Sequence, residues 1–418
     1  MSEAINQLSP TCAALKRGAA SERHFPITDN PRAVILGGSF GSLGAARNLA
    51  EHGIRVCVLG SASSVARFSR SLSRFVASPL MLKNEEVPAF LVKMAVEYQL
   101  QGSVLFPTSD EQVRILAQNH SLLAEHYTLT TPSWETVKFL YDKRLTYQLA
   151  RNAGVAIPRS LVPGTAERLA TLSVDFPVIL KPAITARFLS ITNIKAYRAD
   201  NRKELQRLYE KMSGIIGSSE VIVQDLLPDP SRNLFSFGGY FRNGEPIVGL
   251  SVKKHRQLPR DFGRSSTFVE SVEIPELNKL AGQLLRAIGY TGLAEVEFMW
   301  NAKQDRFELL EVNARLWAWH SLAMAAGLDL PYVAFAEALG RNPAIGPLRQ
   351  GVKWVRFLTD VRAAAQGIRS GSLGLRQYLT SLRGTTAFAV FSASDPLPCI
   401  VEPFLLLLNR FNSHASPI

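Results

Sequence analysis

From Gly289 to Gly327 the apolar and polar positions follow a strand, a turn, a strand and the start of a helix. In Leu293–Trp300 (LAEVEFMW), Val296, Phe298 and Trp300 fall on one face and Glu295 and Glu297 on the other. A half-buried strand has this pattern, because successive side chains point to opposite faces. NAKQD is a polar turn and RFELLEVNA a second strand, so the stretch predicts a hairpin. AVILGG, IRVCVLG, FPVILKP and SEVIV are short apolar runs of strand type, as is the VLF of Val104–Phe106. Helical periodicity marks SFGSLGAARNLAEHG and the stretch Thr131–Gly154, with Ser133 as N-cap and Gly154 as terminator. Leu234–Glu270 reads as two strands and a loop, with Arg242, Asn243, Gly244 and Glu245 as a hairpin turn. PAIGP at Pro343–Pro347 marks a boundary. Beyond it the pattern gives helices over 358–368 and 373–382, a strand at TAFAVFS, and the apolar run PFLLLLNRF.

A chain of 418 residues has room for two or three domains. Its 46% hydrophobic and 20% charged residues are ordinary for a globular protein. The net charge of +12 raises nucleic acid, membrane surfaces and anionic substrates as partners. No five basic residues are consecutive, and neither zinc-finger spacing nor a basic–aromatic RNA motif occurs, which argues against nucleic acid. Cys12, Cys57 and Cys399 are odd in number and far apart, which fits a reducing, cytoplasmic setting. Residues 1–30 lack a signal-peptide core and read as a loose arm. The apolar run near the C-terminus is too short to span a bilayer. It reads as a packed helix, with a peripheral membrane helix, aided by the positive charge, as the alternative.

The hairpin carries candidate chemistry. Glu297 and Glu311 are placed to lie side by side, with Asn313 on the same face. Two adjacent carboxylates call for a cation, and with an amide oxygen beside them they suit a hard divalent ion shared with phosphates. Arg315 follows at the same parity and suits bidentate phosphate contact. The alternative is a solvated acidic face. Gly37, Gly38, Gly41 and Gly44 form a glycine-rich strand-to-helix turn. Gly60-Ser61-Ala62 after the next strand lacks the acid that a nicotinamide dinucleotide's ribose needs, which argues against a dinucleotide site; the resemblance stated below implies instead a turn helping to hold a small substrate. Arg67, Arg70 and Arg74 read as a solvated helix face or an anion contact. Thr108, Ser109, Asp110 and Glu111 close a strand, an end where the enzymes of the resemblance stated below often place substrate contacts. Lys181 lies in an apolar strand, which is costly unless its charge is paired or snorkels to water. Lys253, Lys254, His255, Arg256 and Arg260 form a cationic run.

E-V-E-F followed by L-L-E-V-N-A-R resembles the metal-binding end of the ATP-grasp superfamily, which includes carbamoyl-phosphate synthase, biotin carboxylase and D-alanine–D-alanine ligase. The resemblance extends over roughly residues 32–340, and within the superfamily the chain looks like bacterial carboxylate–amine ligases of unassigned substrate. It implies an α/β fold with a Rossmann-like domain at 31–130 and an ATP-grasp domain at 131–342. The latter would comprise an α+β lid at about 155–228 and a metal-binding sheet, with an accessory region at 343–418. It implies ATP, with Mg²⁺ or Mn²⁺ on Glu297, Glu311 and Asn313. Lys143 and Lys181 would hold the phosphates. Gln224, Asp225 and Leu227 would form an adenine hinge, and Asp229 would hold the ribose. Lys254, Arg256 and Arg315 would offset charge on the transferred phosphoryl group. Ala183–Ser190 would cover the phosphates, although AITARFLS lacks the glycines many relatives carry there. The implied reaction makes an acyl phosphate from a small carboxylate and ATP, then an amide with an amine. A homodimer is compatible with this. The alternatives are bicarbonate chemistry of the carboxylase or carbamoyl-phosphate kind, and a non-catalytic nucleotide-binding protein at a membrane surface.

Overall fold

The computed structural model describes residues 32–79, 83–227, 233–260, 262–263 and 265–411, so Asp229 lies outside the described residues. The first layer is a parallel sheet of β1 (Arg32–Leu36), β2 (Arg55–Gly60), β3 (Arg74–Ala77), β4 (Val104–Phe106) and β5 (Thr128–Leu129), in the order β3-β2-β1-β4-β5. This is a doubly wound order, in which the loops at the carboxyl ends of the strands face the ligand crevice. The glycine-rich turn after β1 is filled by the chain itself. Gly37 has φ +82°, and a Cβ there would lie 2.7 Å from the Thr108 hydroxyl. A Cβ on Gly38 would collide with Ser64. Close packing therefore accounts for these two glycines. The Arg67–Arg74 stretch is not a helix face. It is a 3₁₀ turn at Val65–Phe68 followed by β3, with the Arg67 guanidinium over Phe68 and Phe75.

A small antiparallel sheet forms the lid: β6 (Ser160–Leu161), β7 (Val178–Pro182), β8 (Tyr197–Ala199) and β9 (Val221–Asp225), ordered β6-β9-β7-β8. The helix Arg202–Ile216 covers it, with Leu205, Tyr209 and Met212 packed on Val178 and Leu180. The segment expected as a covering loop is instead the helix Thr185–Thr192. AITARFLS has no glycine to break a helix, and Phe188 is fully buried in the lid core.

The third layer is a seven-stranded sheet. Its strands are β10 (Leu234–Arg242), β11 (Glu245–Leu258), β12 (Ser265–Val272), β13 (Gly292–Asn301), β14 (Arg306–Asn313), β15 (Lys353–Val355) and β16 (Thr385–Phe388). They are ordered β14-β13-β10-β11-β12-β15-β16. Leu234–Glu270 thus holds three strands, not two. Asn243 and Gly244, at φ +52° and +81°, make the expected two-residue turn between β10 and β11.

The region after residue 343 is not an appendage. β15 and β16 extend the large sheet, and Trp354 shares one core with Leu43 and Val56 of the first layer. Asp395 receives Arg47 Nε at 3.0 Å and Ser69 Oγ at 2.6 Å, which ties the tail to the parallel sheet. The apolar run forms the helix Leu397–Phe411. Its buried Glu402 accepts from Arg356, while Ile400, Phe404 and Leu407 remain exposed. Among the described residues no helix is long and apolar enough to cross a membrane.

Candidate active site

Three parts of the chain enclose a cavity of about 190 Å³. The large sheet contributes Lys254, Glu295, Glu297 and Glu311, the lid Thr185 and Lys195, and the first layer's edge Asp110. In the β13–β14 hairpin, Glu297 stands opposite Glu311 and Glu295 opposite Asn313. A bulge follows at Glu297/Phe298, so the acids end the regular ladder at the cavity. The side-by-side placement read from the alternation is therefore present.

The cation expected between these acids is supplied by lysines. Lys254 Nζ, 4% exposed, lies 2.7 Å from Glu295 Oε1 and 3.0 Å from Glu297 Oε2. Glu311 carries two ammonium groups, Lys195 at 2.8 Å and Lys143 at 3.4 Å. Lys143 also donates to Thr185 Oγ1 at 2.6 Å. Burial alone would neutralise these groups. Against that, Lys195 and then Lys143 hold the Glu311 carboxyl well below its usual range. Burial likewise works against the Lys254 ammonium, and Glu295 and Glu297 override it, keeping Lys254 above its ordinary value. Glu297 shares that one ammonium with Glu295, and burial together with Glu295 and Glu311 pushes its carboxyl up.

Asn313 and Arg315 complete this end of the cavity. The Asn313 amide nitrogen donates to Glu297 at 3.0 Å and Glu295 at 3.2 Å, and its oxygen accepts from Arg315 Nη2 at 2.9 Å. The Arg315 guanidinium forks onto Asp110, with Nε 2.6 Å from Oδ1 and Nη2 3.2 Å from Oδ2. Of the strand-end candidates, Asp110 is thus at the site. Ser109 caps its helix by accepting from the Gln112 N–H, and Thr108 donates to the Leu36 carbonyl at 2.6 Å. Glu111 is engaged by Arg114 and Tyr141.

Other expected residues fall outside the cavity lining. Lys181 is buried behind it, its ammonium 5.1 Å from the Tyr147 ring centre. Burial pulls its pKa down to about 7, with Glu311 opposing that shift and Lys195 adding to it. Gln224 is fully engaged inside the lid, donating to Ser160 Oγ at 2.6 Å and Tyr147 Oη at 3.3 Å. Asp225 pairs β9 with Val178 on β7 and is half-buried, and Leu227 is buried just beyond.

Arg256 requires a correction. Lys254 and Arg256 lie two positions apart on β11, where plain alternation would put both on one face. The ladder skips His255, so Lys254 opposes Val269 and Arg256 opposes Phe268. That bulge turns Arg256 away to Asp360 of the helix Phe357–Arg369, at 2.8 and 2.9 Å, with the guanidinium 4.2 Å from the Phe268 ring centre. Gln257 faces the cavity in its place.

Sequence reasoning missed Lys195 and the role of Glu295. Glu295 had a signal, being two residues before Glu297 on the same face. Its carboxylate also accepts from Trp319 Nε1 at 2.7 Å. Lys195 had none, because only the packing of lid on sheet brings it to Glu311.

Two carboxylates and an amide are ligand types that a hard divalent ion takes, with the Asn313 amide here turned nitrogen-first toward Glu297. Glu297 and Glu311 face each other across the ladder at the cavity, with the Asn313 amide on the same face. Among the described residues no group of three or more His, Cys, Asp or Glu side chains converges as a metal site, since lysines separate these carboxylates.

A family model, the ATP-binding domain of the carbamoyl-phosphate synthase L chain, matches residues 264–343. D-aspartate ligase from Enterococcus faecium is 22% identical over 332 residues, covering 75% of this chain and 77% of that protein. The L-amino acid ligase structure from Bacillus licheniformis is similar with a TM-score of 0.58 at 15% identity, covering 78% of each chain. The biotin carboxylase domain dimer of Hydrogenobacter thermophilus 2-oxoglutarate carboxylase, in complex with MgADP, ADP and bicarbonate, has a TM-score of 0.61 at 14% identity. That match covers 77% of this chain and 73% of that one. The fold is thus the one these ligases and carboxylases share. The family model and the D-aspartate ligase match support an ATP-grasp reading with ATP-dependent carboxylate–amine ligation, and the solved structures show the fold.

Proposed function

We propose that the chain activates a small carboxylate with ATP as an acyl phosphate and joins it to an amine. A carboxylate oxygen attacks the γ-phosphorus and ADP leaves. The amine nitrogen then attacks the acyl carbon, phosphate leaves, the nitrogen loses a proton, and an amide remains. The observation that carries this reading is the interlocked charge at the cavity, where Glu295, Glu297 and Glu311 are matched against Lys143, Lys195 and Lys254. Such a set suits a polyanion bound with a divalent cation, each taking one half of the existing ion pairs.

In this reading Glu297, Glu311 and Asn313 hold Mg²⁺, or Mn²⁺ in its place. When bound, the ion would offset charge on the phosphates. Lys143 and Lys254 serve the phosphates from the cavity lining, and Lys181 from behind it. Arg315 and Asp110 position the reacting acid or amine beside them. Gln224, Asp225 and Leu227 lie on the strand and linker assigned to adenine. No covalent catalysis by the protein is needed, because positioning and charge neutralisation supply the rate. The ligase relatives support small-molecule substrates, and the relatives add no support for contact with a membrane.

The test is a screen of acids and amines for ADP and phosphate release, with mass spectrometry of the product. Release that requires both partners and yields an amide supports the reading. Release with bicarbonate and no amine would replace it with carboxylase-type chemistry.

A further inference from the structure

The reading above gives Lys195 no contact with substrate or phosphate, yet it is a lid side chain that bridges to the large sheet at the cavity's acidic end. It lies between the helix Thr185–Thr192 and β8. Asn193, left-handed at φ +57°, ends that helix, and Ile194 packs into the lid core. The link from lid core to Lys195 is therefore short and anchored. From it the ammonium reaches Glu311 Oε1 at 2.8 Å and the Gly263 carbonyl at 3.4 Å, on the far side of the cavity.

Charge balance around Glu311 is uneven. One carboxylate faces Lys195 and Lys143 directly, and Lys181 acts on it from behind. Two ammonium groups on one carboxylate leave positive charge at this end of the cavity, just as one ammonium between Glu295 and Glu297 leaves negative charge at the other. The first turn of the helix Thr185–Thr192 leaves backbone N–H groups without intrahelical partners, and Thr185 and Ala186 line the cavity. Beside them Lys195 is the charged lid side chain of the lining, with Lys143 next to it.

We propose that Lys195 is a catalytic residue carried by the lid: it contacts the phosphoryl group being transferred, and in the free protein its ammonium rests on Glu311. This rests on the reading of the cavity as a Mg²⁺·ATP site and adds a residue and a coupling to it. A divalent ion on Glu311 competes with Lys195, and the phosphates then receive the displaced ammonium. Removing Lys195 should accordingly have opposite effects on the two ligands. Metal alone should bind more tightly, since its competitor is gone. Metal plus nucleotide should bind more weakly, since a charge-assisted contact is lost, by roughly ten- to a hundredfold.

The experiment compares wild type, Lys195→Met and Lys195→Arg. Mn²⁺ binding without nucleotide is followed by electron paramagnetic resonance. Binding of a non-hydrolysable ATP analogue with Mg²⁺ is followed by calorimetry. The proposal expects Lys195→Met to bind Mn²⁺ more tightly and the analogue more weakly, and Lys195→Arg to regain much of the nucleotide affinity. A lysine that merely latches the lid predicts wild-type or improved analogue binding in Lys195→Met, and that result overturns the proposal. If wild type itself binds no Mg²⁺·analogue, the reading of the cavity fails and Lys195's role falls with it. If wild type binds and Lys195→Met is unchanged for both ligands, the Lys195 assignment alone is overturned.

Discussion

Two lysine–glutamate clusters meet at one cavity, and they are built differently. Lys254 with Glu295 and Glu297 lies within a single sheet, on β11 and β13, almost without solvent. Glu311 belongs to the same sheet, but its partners do not. Lys143 begins the helix Lys143–Asn152, Lys181 is on β7, and Lys195 precedes β8. The first cluster is fixed by strand register. The second exists only because the lid and the helix before it dock on the sheet. A cluster inside one sheet is preorganised whether or not a ligand is bound. A cluster made between two bodies can change partners when one moves, which is what exchange of ammonium for metal and carboxylate for phosphate requires.

The contrast is broken most severely at the carboxylate common to lid and sheet. Glu311→Gln should lower ATP turnover by ~10²–10³, as loss of a charged group at a transferring phosphoryl does, with the far-ultraviolet circular dichroism unchanged. Near-normal steady-state turnover would remove Glu311 from the site.

Arg256 tests the sheet side by its absence from the cavity. It forms an ion pair with Asp360, which is fully buried. Arg256→Ala leaves that carboxylate uncompensated and should cost about 3–5 kcal/mol in urea unfolding. The kcat measured on the folded fraction should stay within about twofold of wild type. A large fall in kcat at unchanged stability would restore the catalytic role suggested by spacing alone.

That reversal shows where the sequence was legible and where it was not. The period-2 alternation in LAEVEFMW and RFELLEVNA put Glu297 beside Glu311 because pairing in a hairpin is local. The same rule failed at Lys254 and Arg256, because the skipped His255 shifts parity and nothing in the residues announces it. The glycine-free AITARFLS was readable as a helix from propensity, and the expectation of a covering loop overrode it. The strand read at TAFAVFS overlaps β16, but the three residues of β15 are too few for periodicity to reveal, so the tail's place in the large sheet depended on tertiary pairing. Lys195 was invisible for the same reason.

On the lid side, Lys181→Met keeps the apolar stem and removes the charge. It should weaken Mg²⁺·ATP binding by roughly ten- to a hundredfold, equivalent to about 1.5–3 kcal/mol by calorimetry. Unchanged affinity would show that Lys181 serves packing on Tyr147 only.

The smallest expected effect is in pH. Burial pulls Lys181 down to about 7, whereas an unfolded lysine keeps its proton to about 10.4. Between these values the unfolded chain binds the extra proton, so this group makes folding stability rise with pH across that window. Phosphates favour the charged form, so nucleotide binding should take up a proton above pH 7, and affinity should fall by up to about tenfold per pH unit. Calorimetry in buffers of different ionisation heat would detect the uptake, and Lys181→Met should abolish it. Equal proton uptake in the variant would assign the titration elsewhere.

The central claim is that the cavity's carboxylates and lysines neutralise each other until metal and nucleotide arrive together. Titration calorimetry of wild type with Mg²⁺ alone, ATP alone, and each in the presence of the other tests it directly. The expected result is that each ligand strengthens the other by the same factor, tenfold or more, as reciprocal linkage demands. Equal affinity for each ligand with and without its partner would contradict it.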